Sequence, residues 1–255
     1  MRLTIVQPDI VWENKLSNLQ KLGEMLKSVP SGTDILILPE MFNTGFSMRP
    51  DKLAEPPLST TFEWMRNIAV INNLGICGSY IIKSTANYYN SWVFVSPDDK
   101  IHTYNKRHLF SPGHEDKLFT RGNERLVFNF RGVRICPNIC YDLRFPVWSR
   151  NSSDYDLLIN SANWPATRRD VWLTLLKARA IENQCFVAAA NRIGIDGEGI
   201  SYCGDSLVAG PKGETIADAG REESLLSAEI SLDNLENFRR SFPMLNDADK
   251  FEIKF

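Results

Sequence analysis

The sequence predicts an α/β fold: one domain of two similar halves, with two sheets face to face and helices outside. Three observations predict it. Short apolar runs alternate with amphipathic segments from end to end, the pattern of an α/β chain. Asp34-Ile35-Leu36-Ile37-Leu38 is echoed by Asp156-Leu157-Leu158-Ile159-Asn160, each followed by a polar loop and a helical segment. Ser91-Trp92-Val93-Phe94-Val95-Ser96-Pro97 is echoed by Ser206-Leu207-Val208-Ala209-Gly210-Pro211, each ending in a proline turn that returns a hairpin.

Each element follows from its own residues. The first strand, 3–7, stops at Pro8. A helix over 14–27 carries Leu16, Leu19, Leu22 and Leu26 on one face, and Pro30 and Gly32 end it. After a strand at 34–38, the helix over 60–73 turns Phe62, Met65, Ile68 and Ala69 inward. Strands at 75–82, 91–95, 126–130 and 133–139 are β-branched or Leu-rich and bounded by Gly, Pro, Asn or Asp. Pro137 lacks a ladder donor, which implies a bulge or an edge there. The strand 156–160 precedes a helix over 167–182 with Val171, Leu175, Ala178 and Ile181 at helical spacing. Strands at 185–191, 206–209 and 225–229 complete the second half. No linker divides the chain, so residues 1–242 read as one domain and 243–255 as a tail that docks on a neighbouring subunit.

With 255 residues, 43% hydrophobic and 24% charged, the chain has the balance of a globular protein rather than a disordered or fibrous one. The net charge of -2, from 29 basic and 31 acidic residues, gives no basic stripe for nucleic acid. Arg168-Arg169 and Arg239-Arg240 read as solvated helix faces. No apolar window reaches membrane-span length, and the apolar start before Pro8 is too short for a signal peptide. Five scattered cysteines then read as reduced thiols in a cytoplasmic protein, four of them as buried hydrophobes. The expected partner is a small molecule, with no nucleic acid and no membrane.

Several chemistries lack their residues. His102, His108 and His114 crowd one stretch and give no local signature of a Cys–His hydrolase. Cys136 and Cys140 have no second ligand pair at zinc spacing, so no metal is expected. Phosphate loops and serine elbows are absent. What remains is polar residues just past apolar strands, where ligands of α/β sheets gather. Glu40 follows Ile35-Leu36-Ile37-Leu38-Pro39, Lys106 follows a hairpin, and Cys140 follows 133–139. Singly they read as a surface carboxylate, a solvated lysine and an inert thiol. Together they suffice for acyl transfer: a thiol to attack, a carboxylate to shuttle protons, an ammonium to stabilise the oxyanion.

Three blocks stand in order: Leu38-Pro39-Glu40-Met41-Phe42, Lys106-Arg107-His108-Leu109-Phe110, and Cys140-Tyr141-Asp142-Leu143-Arg144-Phe145-Pro146. A fourth is Ala178-Arg179-Ala180-Ile181-Glu182-Asn183. With these the chain resembles the nitrilase (carbon–nitrogen hydrolase) superfamily from Leu3 to about Phe242. The resemblance implies a four-layer α-β-β-α sandwich, with Glu40 as general base, Lys106 as oxyanion cation and Cys140 as nucleophile. It implies the Tyr141 N–H as oxyanion donor, no cofactor, and a homodimer or larger homo-oligomer. The family's second glutamate lies seven residues before a glycine, which Glu115 and Gly122 satisfy, with Asp116 and Glu124 nearby.

Within the superfamily the likeness is to the omega-amidases, carried by Pro39–Met48, Asp142–Arg150 and Ser161-Ala162-Asn163-Trp164-Pro165. It implies hydrolysis of the terminal amide of short 2-oxo acids, such as 2-oxoglutaramate, by a thioester route. Lys106 and the following helix end are expected to lower the Cys140 pKa. Trp164 and Phe42 are expected beside the substrate. A substrate carboxylate needs a cation, from Arg49, Arg144, Arg168 or Arg192; Arg144 could instead pair with Glu182 or Asp142. The alternatives are an N-carbamoyl-amine or N-carbamoyl-amino-acid hydrolase on the same residues, and a non-catalytic binding module.

Overall fold

The structure, a computed structural model, describes residues 1–254. The first half comprises β1 (Arg2–Gln7), α1 (Lys15–Leu26), β2 (Ile35–Ile37), one-turn α2 (Pro50–Leu53), α3 (Thr60–Asn72), β3 (Gly75–Ser84), β4 (Asn87–Val95) and β5 (Ile101–Asn105). One-turn α4 (Glu115–Leu118) leads to β6 (Phe128–Phe130), β7 (Val133–Ile139), β8 (Leu157–Ser161), α5 (Arg169–Asn183) and β9 (Phe186–Ala190). Then come β10 (Ile193–Ile195), β11 (Ser201–Cys203), β12 (Leu207–Ala209), β13 (Thr215–Asp218), β14 (Ser224–Glu229) and α6 (Leu232–Ser241).

The two halves repeat. Of the two six-stranded sheets, one runs β14-β1-β2-β3-β4-β5 and the other β13-β12-β9-β8-β7-β6, while β10 and β11 pair separately. In the first, β1, β2 and β3 are parallel, with β14, β4 and β5 antiparallel. The second matches it: β7, β8 and β9 are parallel, with β6, β12 and β13 antiparallel. The predicted echoes are therefore β2 with β8 and β4 with β12. Alternation of side chains along each strand gives every sheet two apolar faces. The inner faces meet through Leu3, Ile5, Trp92 and Phe94 from one sheet and Val133, Ile135, Leu157 and Ala188 from the other. Outside, α1 and α3 cover Leu36, Leu38 and Ile76, while α5 covers Cys136, Leu158 and Val187. The result is the predicted α-β-β-α sandwich.

Two helical faces differ from the sequence reading. On α1, Leu16 is 76% exposed; Asn18 takes the buried place because its side-chain amide donates to Val11 and Asn43 carbonyls. On α5, the buried residues are Trp172, Leu176, Arg179, Ala180 and Asn183. Val171 and Ile181 face solvent. The true face lies one residue, about 100°, from the predicted stripe, because polar groups with partners fill it. Trp172 Nε1 donates to Asp205 O and Arg179 Nη2 to Leu143 O.

Pro137 pairs with Ile159 of β8, and the β7–β8 register is unbroken. The β6 pairing ends at Ile135, so the proline's missing donor falls on a side without a ladder. That is an edge without a bulge. In the tail, Ile253 packs against the inter-sheet core of its own chain.

Candidate active site

The site lies where the C-terminal ends of β2 and β7 meet across the sandwich. Glu40 follows β2; Met41, next to it, has a left-handed φ of 42° and donates its N–H to Ser79 Oγ. Lys106 follows edge strand β5, its N–H bonded to Asn90 O. Cys140 follows β7 at φ 43° and opens a 3₁₀ turn, Cys140–Arg144. A non-glycine residue in this conformation carries strain of about 1–3 kcal/mol; here it turns the thiol out of the sheet.

The Lys106 ammonium, fully buried, lies 2.7 Å from Glu40 Oε1 and 2.9 Å from Glu115 Oε2. Asn90 Nδ2 donates to both glutamates, at 2.8 and 3.0 Å, and is itself oriented by Ser79 Oγ. Phe110 N donates to Glu115 Oε2 and Asn163 N to Glu40 Oε2. Both carboxylates are thus held on several sides. Burial opposes the Lys106 charge, but Glu115 and Glu40 outweigh it and hold the ammonium above its ordinary pKa. Burial raises the Glu115 pKa, and Lys106 only partly offsets it.

The thiol departs from expectation. Burial and the Glu40 charge push the Cys140 pKa well up, against the weaker pull of Lys106. The group rests as a neutral thiol, its Sγ 3.8 Å from Asn163 O. Tyr141 N lies in the first turn of the 3₁₀ helix, where amides have no intrahelical acceptor.

Asp142 joins the Cys140 turn to the Lys106 loop. Fully buried, it accepts from Ile139 N, His108 N, His108 Nδ1 and Tyr104 OH at 2.7 to 3.0 Å. Behind it, Arg179 ties Leu143 O to Glu182, which gives the fourth sequence block a scaffolding task. Gly122 explains the glycine that follows Glu115: a Cβ there would stand 2.1 Å from Asn105 O. Its N–H bonds Lys106 O.

These groups floor a pocket of about 400 Å³. Glu40, Lys106, Cys140, Tyr141, Arg144 and Trp164 line it, and Glu115 is held off it on Lys106. Phe42 does not. It packs against Trp64 and Tyr80 in the helix-facing core, because the turn at Met41 sends the chain back across the sheet. The aromatic wall is instead Phe46 and Phe110, with the Phe46 ring 5.2 Å from Lys106 Nζ. Of the four arginines considered, Arg49 pairs with Glu13 and Arg192 is buried against Asp9. Arg144 and Arg168 line the pocket. Glu182 pairs with Arg179, not Arg144.

Asn90 escaped the sequence reading; its only signal is a polar residue among the buried positions of a strand. Of the other cysteines, three are buried and Cys203 is half-buried, one fewer in the core than expected. Among the described residues no cluster of three or more His, Cys, Asp or Glu could hold a metal, and no helix is long and apolar enough to cross a membrane.

Comparison with known proteins gives the family. The carbon-nitrogen hydrolase family model matches residues 2–240. The chain is 42% identical to Omega-amidase YafV of Escherichia coli strain K12, over 99% of this chain and 98% of that one. To 2-oxoglutaramate amidase of Bacillus subtilis strain 168 it is 34% identical, over 97% of each. The crystal structure of XC1258 from Xanthomonas campestris, a CN-hydrolase superfamily protein with an arsenic adduct in the active site, superposes with TM-score 0.97. It is 38% identical and covers 100% of this chain and 99% of that one. From its sequence blocks, its duplicated sandwich and these relatives, the chain belongs to the carbon–nitrogen hydrolase family of the nitrilase superfamily.

Proposed function

We propose that this chain is an omega-amidase that hydrolyses the terminal amide of short 2-oxo acid amides, 2-oxoglutaramate among them, through a thioester on Cys140. The observation that carries the reading is the Glu40–Lys106–Glu115 cluster beside Cys140, under a pocket walled by two arginines. The omega-amidase and 2-oxoglutaramate amidase relatives support the substrate.

Because the thiol is neutral at rest, its proton leaves as the sulfur attacks. Cys140 Sγ bonds to the amide carbon and Glu40 accepts the thiol proton. The carbonyl π pair moves to oxygen, giving an oxyanion that faces Lys106 and the Tyr141 N–H. Collapse expels ammonia, which takes the proton from Glu40, and leaves an acyl thioester. Water then attacks the thioester carbon while Glu40 removes its proton. The second tetrahedral intermediate releases the carboxylic acid, and the proton on Glu40 returns to the thiolate. Glu115 holds the Lys106 ammonium and takes no proton in this scheme. Arg144 faces the substrate carboxylate.

We also assign the chain to the cytoplasm and to a homo-oligomer. Five free cysteines fit the first; the exposed apolar Val171 and Ile181 on α5 fit the second.

Ammonia release from 2-oxoglutaramate, 2-oxosuccinamate, glutamine, N-carbamoyl-β-alanine and a simple nitrile tests the reading, with Cys140→Ala as blank. Preference for the 2-oxo amides, lost in the variant, is expected. Activity confined to the carbamoyl compound would replace the substrate; release unchanged by the substitution would remove the nucleophile assignment.

A further inference from the structure

Two cations in the pocket lack a counter-charge. Arg144 reaches it from the 3₁₀ turn after the nucleophile, its guanidinium 5.0 Å from the Trp164 ring centroid. Arg168 reaches it from the 3₁₀ turn Ala166–Arg168, its guanidinium 5.4 Å from the Phe110 ring centroid. Among the described residues neither guanidinium has a carboxylate partner or a side-chain hydrogen bond. Of the three acids that line the pocket, two are otherwise engaged, and Glu198 forms no ion pair with either arginine among the described residues. Glu40 and Glu115 hold Lys106, and Asp196 accepts from Glu198 N, Ile200 N and Tyr202 OH. Glu198 is exposed.

A guanidinium whose face lies on an aromatic ring keeps its N–H edge free, and the ring limits its rotation. Such an edge fits a planar pair of oxygens. Trp164 Nε1 donates to Arg168 O at 2.8 Å, so the ring under one arginine also holds the backbone of the other. The two cations are therefore set relative to each other by the protein.

We propose that Arg168 is a specificity-determining residue, which with Arg144 grips the 2-oxo-carboxylate end of the substrate and rejects α-amino acid amides. The proposal rests on the omega-amidase reading. A 2-oxo acid presents a carboxylate oxygen and a keto oxygen in one plane, both acceptors. An α-amino acid amide such as glutamine puts an ammonium where the keto oxygen lies. That adds a third cation beside two unpaired guanidiniums and leaves N–H donors without acceptors.

The test compares kcat and KM of wild type, Arg168→Gln and Arg168→Lys on 2-oxoglutaramate, L-glutamine and butanamide. Butanamide has the reacting amide and no charge. For Arg168→Gln, kcat/KM on 2-oxoglutaramate should fall about 100-fold, chiefly through KM, as expected when a charge-assisted contact is lost. Butanamide turnover should stay unchanged, and the preference for the oxo amide over glutamine should shrink. Arg168→Lys should restore much of that preference, since it keeps the charge, but less of the affinity, since it lacks the planar fork. An equal loss on butanamide, or an unchanged oxo-to-amino ratio, overturns the role of Arg168 while leaving the omega-amidase reading intact. If wild type handles butanamide as well as 2-oxoglutaramate, the omega-amidase reading itself falls.

Discussion

His108 Nδ1 lies 2.8 Å from Asp142 Oδ1. Each residue stands two positions beyond a member of the proposed catalytic cluster, His108 after Lys106 and Asp142 after Cys140. One buried carboxylate thus fixes the spacing of two loops from different sheets. An ionised carboxylate only accepts, and all four of its contacts are donors. Asp142→Asn replaces one acceptor with a donor and leaves N–H groups without partners. Stability should drop by about 1–3 kcal/mol, and kcat should fall more than KM changes. Urea unfolding and steady-state kinetics check the pair.

The raised Cys140 pKa sets how the thiol responds to pH. Its alkylation by iodoacetamide should be slow at pH 7 and still rising at pH 9, without a plateau. Glu40→Gln removes a negative charge that favours the protonated thiol, so it should lower that pKa and speed alkylation. The same change removes the proposed proton acceptor, so amide hydrolysis should fall by a factor of at least about 10². Mass spectrometry must resolve Cys203, whose pKa is pushed up only to about 11.

Glu115 makes stability depend on pH in an unusual sense. Its folded pKa is raised above 4.5, so the folded state holds that proton more tightly than the unfolded state. The group's contribution is favourable below pH 4.5 and is lost as pH climbs toward the folded value. Each tenfold difference in proton affinity between the two states is worth about 1.4 kcal/mol. Glu115→Gln should abolish this slope. Chemical denaturation of both proteins across pH 4 to 8 checks it.

Gly122 is a steric requirement. Gly122→Ala sets a methyl group 2.1 Å from Asn105 O, immediately before Lys106. The strand end must shift, and displacement of about 1 Å at a catalytic group costs about 10² in rate. The expected result is a folded protein with kcat reduced about 100-fold, read by circular dichroism and ammonia release.

Apolar strand ends made Glu40 and Cys140 legible from sequence, and the echoes of β2 in β8 and of β4 in β12 made the duplicated architecture legible. What stayed hidden were positions where polar groups do the packing. Asn18, Arg179 and Asn183 occupy core faces because neighbouring groups satisfy them, which no hydrophobic pattern reports. The direction of Phe42 is hidden because it depends on a left-handed Met41. The Cys140 pKa is hidden because the balance of burial, Glu40 and Lys106 depends on distances that only the fold supplies. Edge strands β5 and β13 escape for a related reason: half-exposed residues weaken their alternation.

Besides the bonds of Asp142 to Tyr104 and His108, the sheets are tied at the site by two further residues. Ser161 Oγ donates to Leu38 O, and Asn163 donates from its main chain and its side chain to Glu40. The first half of the chain holds Glu40, Lys106 and Glu115; the second holds Cys140, the proposed nucleophile. On the proposed mechanism each half is half a catalyst, and the reaction reads out the alignment of one sheet on the other. Turnover then acts as a gauge of inter-sheet register. A conservative change in the shared core, Ile135→Val, should lower the rate by more than its stability loss of about 1 kcal/mol accounts for, as ammonia release and urea unfolding would show.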